Sequence, residues 1–178
     1  MLWSIAFDDH LGVVVSDIYF VDPEPGEGQE GAERGVRLEL RRFERDPLKG
    51  SIYSAVPVRV DRPLWRVDLL EAVSSAPGSL DRAHHHPRFA GWEPGRRVFV
   101  EELSADPVRW LRGRLADPAA VLADAGEDPA DHTADLAAMQ AAAPLITGTV
   151  EHLLTEVAAG RAGTAPAVVG DAVRASWL

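Results

Sequence analysis

The stretch Val36-Arg37-Leu38-Glu39-Leu40-Arg41 alternates between apolar and charged side chains without a break. A period of two puts Val36, Leu38 and Leu40 on one face of an extended strand and Arg37, Glu39 and Arg41 on the other. That is the pattern of a strand buried on one face and solvated on the other. Its neighbours carry the same signal. Upstream, residues 3–7 and 12–21 read as two strands, joined by the short polar link Asp8-Asp9-His10-Leu11. Downstream, residues 52–60 alternate with Ile52, Val56, Val58 and Val60 inward, and Pro57 marks an edge strand. Residues 64–70 set Trp65, Val67 and Leu69 against Arg66 and Asp68, and residues 97–102 read as the last strand. Two loops interrupt the series. Residues 22–35 hold four glycines, two prolines and five acids, a composition expected to be poorly ordered, and residues 74–95 form the second excursion.

Beyond residue 104 the composition changes. Of 27 alanines, 20 lie after residue 100, and the strand-forming residues thin out. Asp106-Pro107, Asp117-Pro118 and Asp128-Pro129 recur at intervals of 11 residues. Aspartate caps a helix N-terminus, and proline at the first helical position forfeits no hydrogen bond, so each pair predicts a helix start. The expected helices begin at these pairs, the third running over 129–142. A fourth, over 144–159, carries the stripe Ile146, Val150, Leu153, Leu154 and Val157 and is closed by Gly160. Residues 161–170 read as a linker, and Asp171 as the cap of a final turn through Trp177. Strands first and helices second is an α+β order. The expectation is one domain over residues 1–178, with a curved antiparallel sheet of five to seven strands in 1–103 and the helices of 104–178 packed against it.

The chain has 178 residues, 28 acidic and 18 basic, for a net charge of −10. Residues 1–33 hold eight acids and no Lys or Arg, residues 34–114 have an excess of five bases, and residues 115–178 an excess of seven acids. The acidic flanks are expected to pair with the basic centre on the folded surface. The overall field disfavours nucleic acid and anionic lipid. No cysteine is present, which excludes disulfides, thiolate metal sites and cysteine nucleophiles. No P-loop, GxSxG or HExxH occurs either. The N-terminus lacks a basic segment followed by an apolar run, and no stretch approaches the ~20 apolar residues of a membrane span, so a cytoplasmic location is expected.

The chemically dense segment is Pro77-Gly78-Ser79-Leu80-Asp81-Arg82-Ala83-His84-His85-His86-Pro87-Arg88-Phe89. His86 precedes proline and is pushed toward an extended conformation. In an extended triplet His84 and His86 emerge on one side and His85 on the other. Two imidazoles so placed suit a divalent ion such as zinc, iron or manganese. The triplet alone leaves the third ligand open among Asp81, Glu93, Glu101 and Glu102; Glu93 is the candidate carried forward with His84 and His86. The same histidines with Arg82 and Arg88 also suit metal-free acid–base chemistry on a phosphodiester, and a purely structural role is the third reading. Trp92, between Gly91 and Pro94-Gly95, reads as an exposed binding platform beside Arg96 and Arg97.

Pro77-Gly78 followed by His84-x-His86 resembles the first half of a cupin metal motif. The resemblance covers about ten residues and implies an HxH pair on a β-barrel strand with a glutamate and a distal histidine as further ligands. Glu93 lies seven residues past His86, outside the family's spacing, and the next histidine is His132, in a predicted helix.

Two functions follow from the sequence. The first is a non-enzymatic interaction or accessory protein, self-associating or binding a protein partner through its acidic surfaces. The second is a metal-binding protein or small hydrolase centred on His84 and His86.

Overall fold

The computed structural model describes residues 1–165. The expected final turn from Asp171 through Trp177 lies outside the described residues, as does the end of the expected linker.

Five strands, β1 (Leu2–Ala6), β2 (Leu11–Val21), β3 (Ala32–Arg45), β4 (Val58–Ala72) and β5 (His84–His86), form one antiparallel sheet whose spatial order is the chain order. The sheet is open and packs against C-terminal helices, an α+β architecture. The alternation at Val36–Arg41 sets its two faces. Val36, Leu38 and Leu40 register opposite Leu69, Val67 and Trp65 on β4, and Leu38 and Leu40 opposite Val15 and Val13 on β2. These residues are buried and form the core face. Burying each such side chain contributes on the order of 1.5–3 kcal/mol. The opposite face carries Arg37, Glu39 and Arg41 of β3 beside Arg66 and Asp68 of β4.

Two expected strands, 52–60 and 64–70, are one. β4 runs without interruption from Val58 to Ala72 and absorbs Pro63 at an irregularity where the register with β3 shifts. Proline has no amide to donate, and a bulge is where a strand tolerates it. Ile52 and Val56 lie in the preceding loop and are exposed, as are Val58 and Val60, which were expected to point inward. The reason is topological. β2 ends opposite Arg42, so Phe43–Arg45 with Val58–Val60 overhang the sheet as a two-stranded arm. The expected last strand, 97–102, is also corrected. Val98 makes a single antiparallel bridge with His85, and a helix starts at Glu101. Between these, β6 (Phe89–Ala90) and β7 (Glu93–Pro94) make a small hairpin that turns at Gly91, whose φ of +65° suits glycine.

Helices α1 (Glu101–Ala105), α2 (Pro107–Ala116) and α3 (Pro118–Ala125) precede a 3-10 turn (Pro129–His132) and the long α4 (Thr133–Ala158). Asp106, Asp117 and Asp128 cap as expected, accepting from the backbone N–H of Arg109, Ala120 and Ala130 at 3.0, 3.1 and 2.9 Å. The two expected helices 129–142 and 144–159 are one, continuous through Pro144. Pro144 and Gln140, whose carbonyl loses its helical donor, are both exposed, so water can satisfy the freed group. The stripe Ile146, Val150, Leu153 and Val157 is buried as its spacing requires, against β2 and β3. The fully buried Asp135 fastens the start of α4 to the β1–β2 turn by accepting from the amides of Asp9 and His10 at 2.8 and 3.0 Å. Trp110 of α2 stacks on Trp65 with ring centroids 6.1 Å apart.

Acidic flanks and basic centre do pair: Arg97 with Asp22, Arg42 and Arg62 with Glu127, and Arg114 with Asp124. The glycine-rich loop ahead of β3 is tied down by the same arginine-rich segment, through Arg97 to Asp22 and Gln29 and Arg82 to the Gly28 carbonyl. Within it Gly26-Glu27-Gly28-Gln29-Glu30-Gly31 has the G-x-G-x-x-G spacing. It joins two antiparallel strands and opens no helix, so it lacks the context of a dinucleotide-binding turn.

Candidate metal centre

β5 is the histidine triplet itself, extended as the proline after it requires. Its register with β4 is Asp68 to His84, Val67 to His85 and Arg66 to His86. His84 and His86 therefore share the charged face with Asp68, and His85 points to the core. There its ring lies 5.2 Å from Trp110.

The third member of the cluster is Asp68. His84 Nε2 and His86 Nε2 each lie 3.5 Å from the same oxygen, Asp68 Oδ2. One ligand atom from each of the three residues falls within 4.8 Å of the others. All three side chains are buried, Asp68 to 1% exposure and His84 to 2%. The far side of each ring is fixed by backbone. His84 Nδ1 is 2.8 Å from the Arg82 carbonyl and His86 Nδ1 is 2.7 Å from the Gly95 carbonyl. A carbonyl only accepts, so each Nδ1 carries a proton, and in the neutral ring Nε2 is left as a lone pair. Burial pushes His84 down to about 4 against the pull of Asp68, so this ring is neutral at pH 7. Burial by itself would raise the Asp68 carboxyl. The charge of Arg37, hydrogen bonds from His86 and Arg37 and the charge of Arg66 outweigh it and hold the group well below the usual carboxylate range.

The Nε2 atoms of both rings and an anionic carboxylate converge on a shared point, and the backbone carbonyls behind the rings orient them as outer partners orient metal-ligating histidines. The 3.5 Å spacing between Nε2 and Oδ2 is close to the edge, about 3.4 Å, of a tetrahedron with bonds of about 2.1 Å, the length zinc makes to such atoms. A second carboxylate lies on the same face. Glu33, on β3, is buried with neither oxygen hydrogen-bonded among the described residues. Burial raises its pKa, opposed by the charges of Arg97 and Arg82.

The other expected site residues lie elsewhere. Glu93, in β7, is exposed, as are Glu101 and Glu102 at the start of α1. Asp81 accepts from the Ala72 amide and the Ser75 and Ser79 hydroxyls and so organises the β4–β5 turn. Arg82 donates to the Gly28 carbonyl, and Arg88 donates to the Asp124 carbonyl at 3.3 Å. Arg96 is exposed, with no ion-pair partner among the described residues, and Arg97 is committed to Asp22. Trp92 is exposed, with the Arg41 guanidinium 5.7 Å over its ring. The barrel implied by the cupin resemblance is absent: the HxH strand ends an open sheet, and the residue facing it comes from the preceding strand.

Sequence reading misses Asp68, Arg37 and Arg66. The alternation over 64–70 puts Arg66 and Asp68 on the outward face. Only the cross-strand register shows that Asp68 meets His84 there. Arg37, opposite Asp68 on β3, donates Nε to Oδ1 at 2.6 Å. Two clefts, one along α2 and the other between Glu71 and α4, do not open on the triad. No helix among the described residues is long and apolar enough to cross a membrane. No family model, curated protein or solved structure matches this chain.

Proposed function

We propose that this protein binds a divalent transition metal, zinc first, through Asp68, His84 and His86. The observation that carries the reading is the convergence of Asp68, His84 and His86, whose ligand atoms lie within 4.8 Å of one another while the Nδ1 of each ring is held by a backbone carbonyl. Two imidazoles and one carboxylate suit zinc and non-haem iron. Three protein ligands leave a fourth tetrahedral position, the arrangement of metal centres that activate water, so metal-assisted hydrolysis is the chemistry we infer. The test is elemental analysis of purified protein after zinc loading and desalting, with His84→Ala and His86→Ala alongside. About one equivalent in the wild type and near none in both variants supports the reading. Equal metal content in all three overturns it.

An interaction role is a second reading, and a different feature favours it. The overhanging arm and its loop expose Leu48, Ile52, Tyr53, Val56, Val58 and Val60, with Ile52 at 81% and Tyr53 at 91% exposure. Clustered exposed apolar side chains mark contact surfaces. Self-association through this arm predicts a mass that rises with concentration in sedimentation and stays monomeric in Ile52→Ser/Tyr53→Ser. A monomer at every concentration counts against it.

A further inference from the structure

The triad sits in a field of guanidinium groups. On the same sheet face, Arg37 bonds Asp68, while Arg66 reaches Glu39 Oε1 through Nε at 2.8 Å and Nη2 at 2.7 Å. Arg41 reaches the other oxygen of Glu39 at 2.5 Å. Three arginines thus share two carboxylates, and Glu33 is a further carboxylate on this face with no hydrogen-bond partner among the described residues. A divalent ion at the triad adds two positive charges.

The arrangement is also directional. Asp68 and both histidines are buried, whereas the Arg37 and Arg66 side chains keep 22% and 15% exposure, so solvent reaches this face at the two arginines. Arg37 uses only Nε on Asp68, and Arg66 uses only Nε and Nη2 on Glu39. The Nη atoms of Arg37 and Nη1 of Arg66 have no hydrogen-bond partner among the described residues. Arg66 is held in place from below by the Phe89 ring, 5.0 Å from its Cζ. Unused planar donors beside a metal suit an oxyanion able to engage the fork and the ion together. A divalent ion beside two guanidinium groups matches a phosphoryl group better than a singly charged carboxylate, and the chain's net charge of −10 disfavours a long polyanion.

We propose that the face formed by Arg37, Arg66 and the metal at Asp68/His84/His86 binds the phosphoryl group of a small phosphorylated molecule. This rests on the metal reading above. The experiment titrates the cobalt-loaded full chain with inorganic phosphate, then with phenyl phosphate, and with acetate as the carboxylate control, following the cobalt absorption bands. Phosphate and phenyl phosphate are expected to shift the bands at concentrations at least tenfold below acetate. Arg66→Gln is expected to weaken phosphate at least tenfold while the variant still binds cobalt, and Arg66→Lys to recover part of the loss. Bands that stay fixed with cobalt bound, an equal response to acetate, or unchanged phosphate affinity in Arg66→Gln would each overturn the phosphoryl site while leaving the metal centre standing. Failure of the wild type to bind cobalt or zinc overturns both.

Discussion

Arg37 on β3 and Asp68 directly opposite it on β4 are held together by a 2.6 Å hydrogen bond from Nε to Oδ1, while the other carboxylate oxygen faces the two histidines. Asp68 is thus shared between a permanent cation and a place shaped for another. Removing Arg37, as in Arg37→Met, leaves a buried carboxylate uncompensated. Breaking a buried pair costs about 3–5 kcal/mol, and the partial exposure of Arg37 reduces this to roughly 2–3 kcal/mol. Bound zinc supplies the missing charge, so zinc should stabilise Arg37→Met more than it stabilises the wild type. Urea titrations of both proteins with EDTA and with excess zinc measure the difference; a zinc increment no larger in the variant contradicts the account.

Zinc should stabilise the wild-type fold through mass action. At a free concentration 100-fold above the dissociation constant the gain is about 2.7 kcal/mol. Thermal melts with and without EDTA should separate by several degrees, and His84→Phe and His86→Phe should abolish the separation. A gap of the same size in those variants means that the ion acts elsewhere.

The metal-free protein should lose stability in mild acid. Burial holds His84 and His85 at about 4 in the fold, against 6.5 for the ordinary imidazole. Below 6.5 the unfolded chain takes up protons that the folded chain refuses, so stability is full above 6.5 and falls as pH drops toward 4. His85 packs against Trp110, and its Nδ1 has no partner among the described residues. His85→Phe should therefore flatten the pH dependence of the urea midpoint between pH 6.5 and 4, by one to a few kcal/mol across the window. A slope unchanged from the wild type contradicts the assignment.

Asp135 ties the helical layer to the far edge of the sheet. Asp135→Ala leaves the Asp9 and His10 amides without their acceptor, and hydrogen bonds to a charged group are worth about 1.5–3 kcal/mol each net of solvation. Asp9 and His10 are exposed, so water replaces part of the lost bonding, and fluorescence-monitored unfolding should show a loss in the range of about 2–4 kcal/mol, with Asp135→Asn intermediate. A loss within about 0.5 kcal/mol, typical of surface positions, would show the tether to be idle.

Much of this fold is legible in the amino-acid sequence. Alternation at Val36–Arg41 identified both faces of β3, because a period of two is enforced wherever one face is buried. Aspartate–proline pairs located helix starts because capping is local chemistry. Proline 144 misled, because its helix-breaking effect depends on whether the orphaned carbonyl reaches water, a property of the packed helix. Val58 and Val60 misled for a similar reason: alternation says which residues share a face, and only the end of β2 decides that nothing covers it. At the site, proline 87 correctly announced an extended triplet. Asp68 could not be identified as its companion from sequence, since a slip of one residue in the β4–β5 register would have presented Val67 instead.

Asp68, His84 and His86 all fall within nineteen consecutive residues. An ion held there staples one local hairpin, which removes less chain entropy from the unfolded state than closing a long loop would. Its natural influence is on timing: captured by a nascent β4–β5 hairpin, it would let the end of the sheet form before the long helix has arrived to bury the other side.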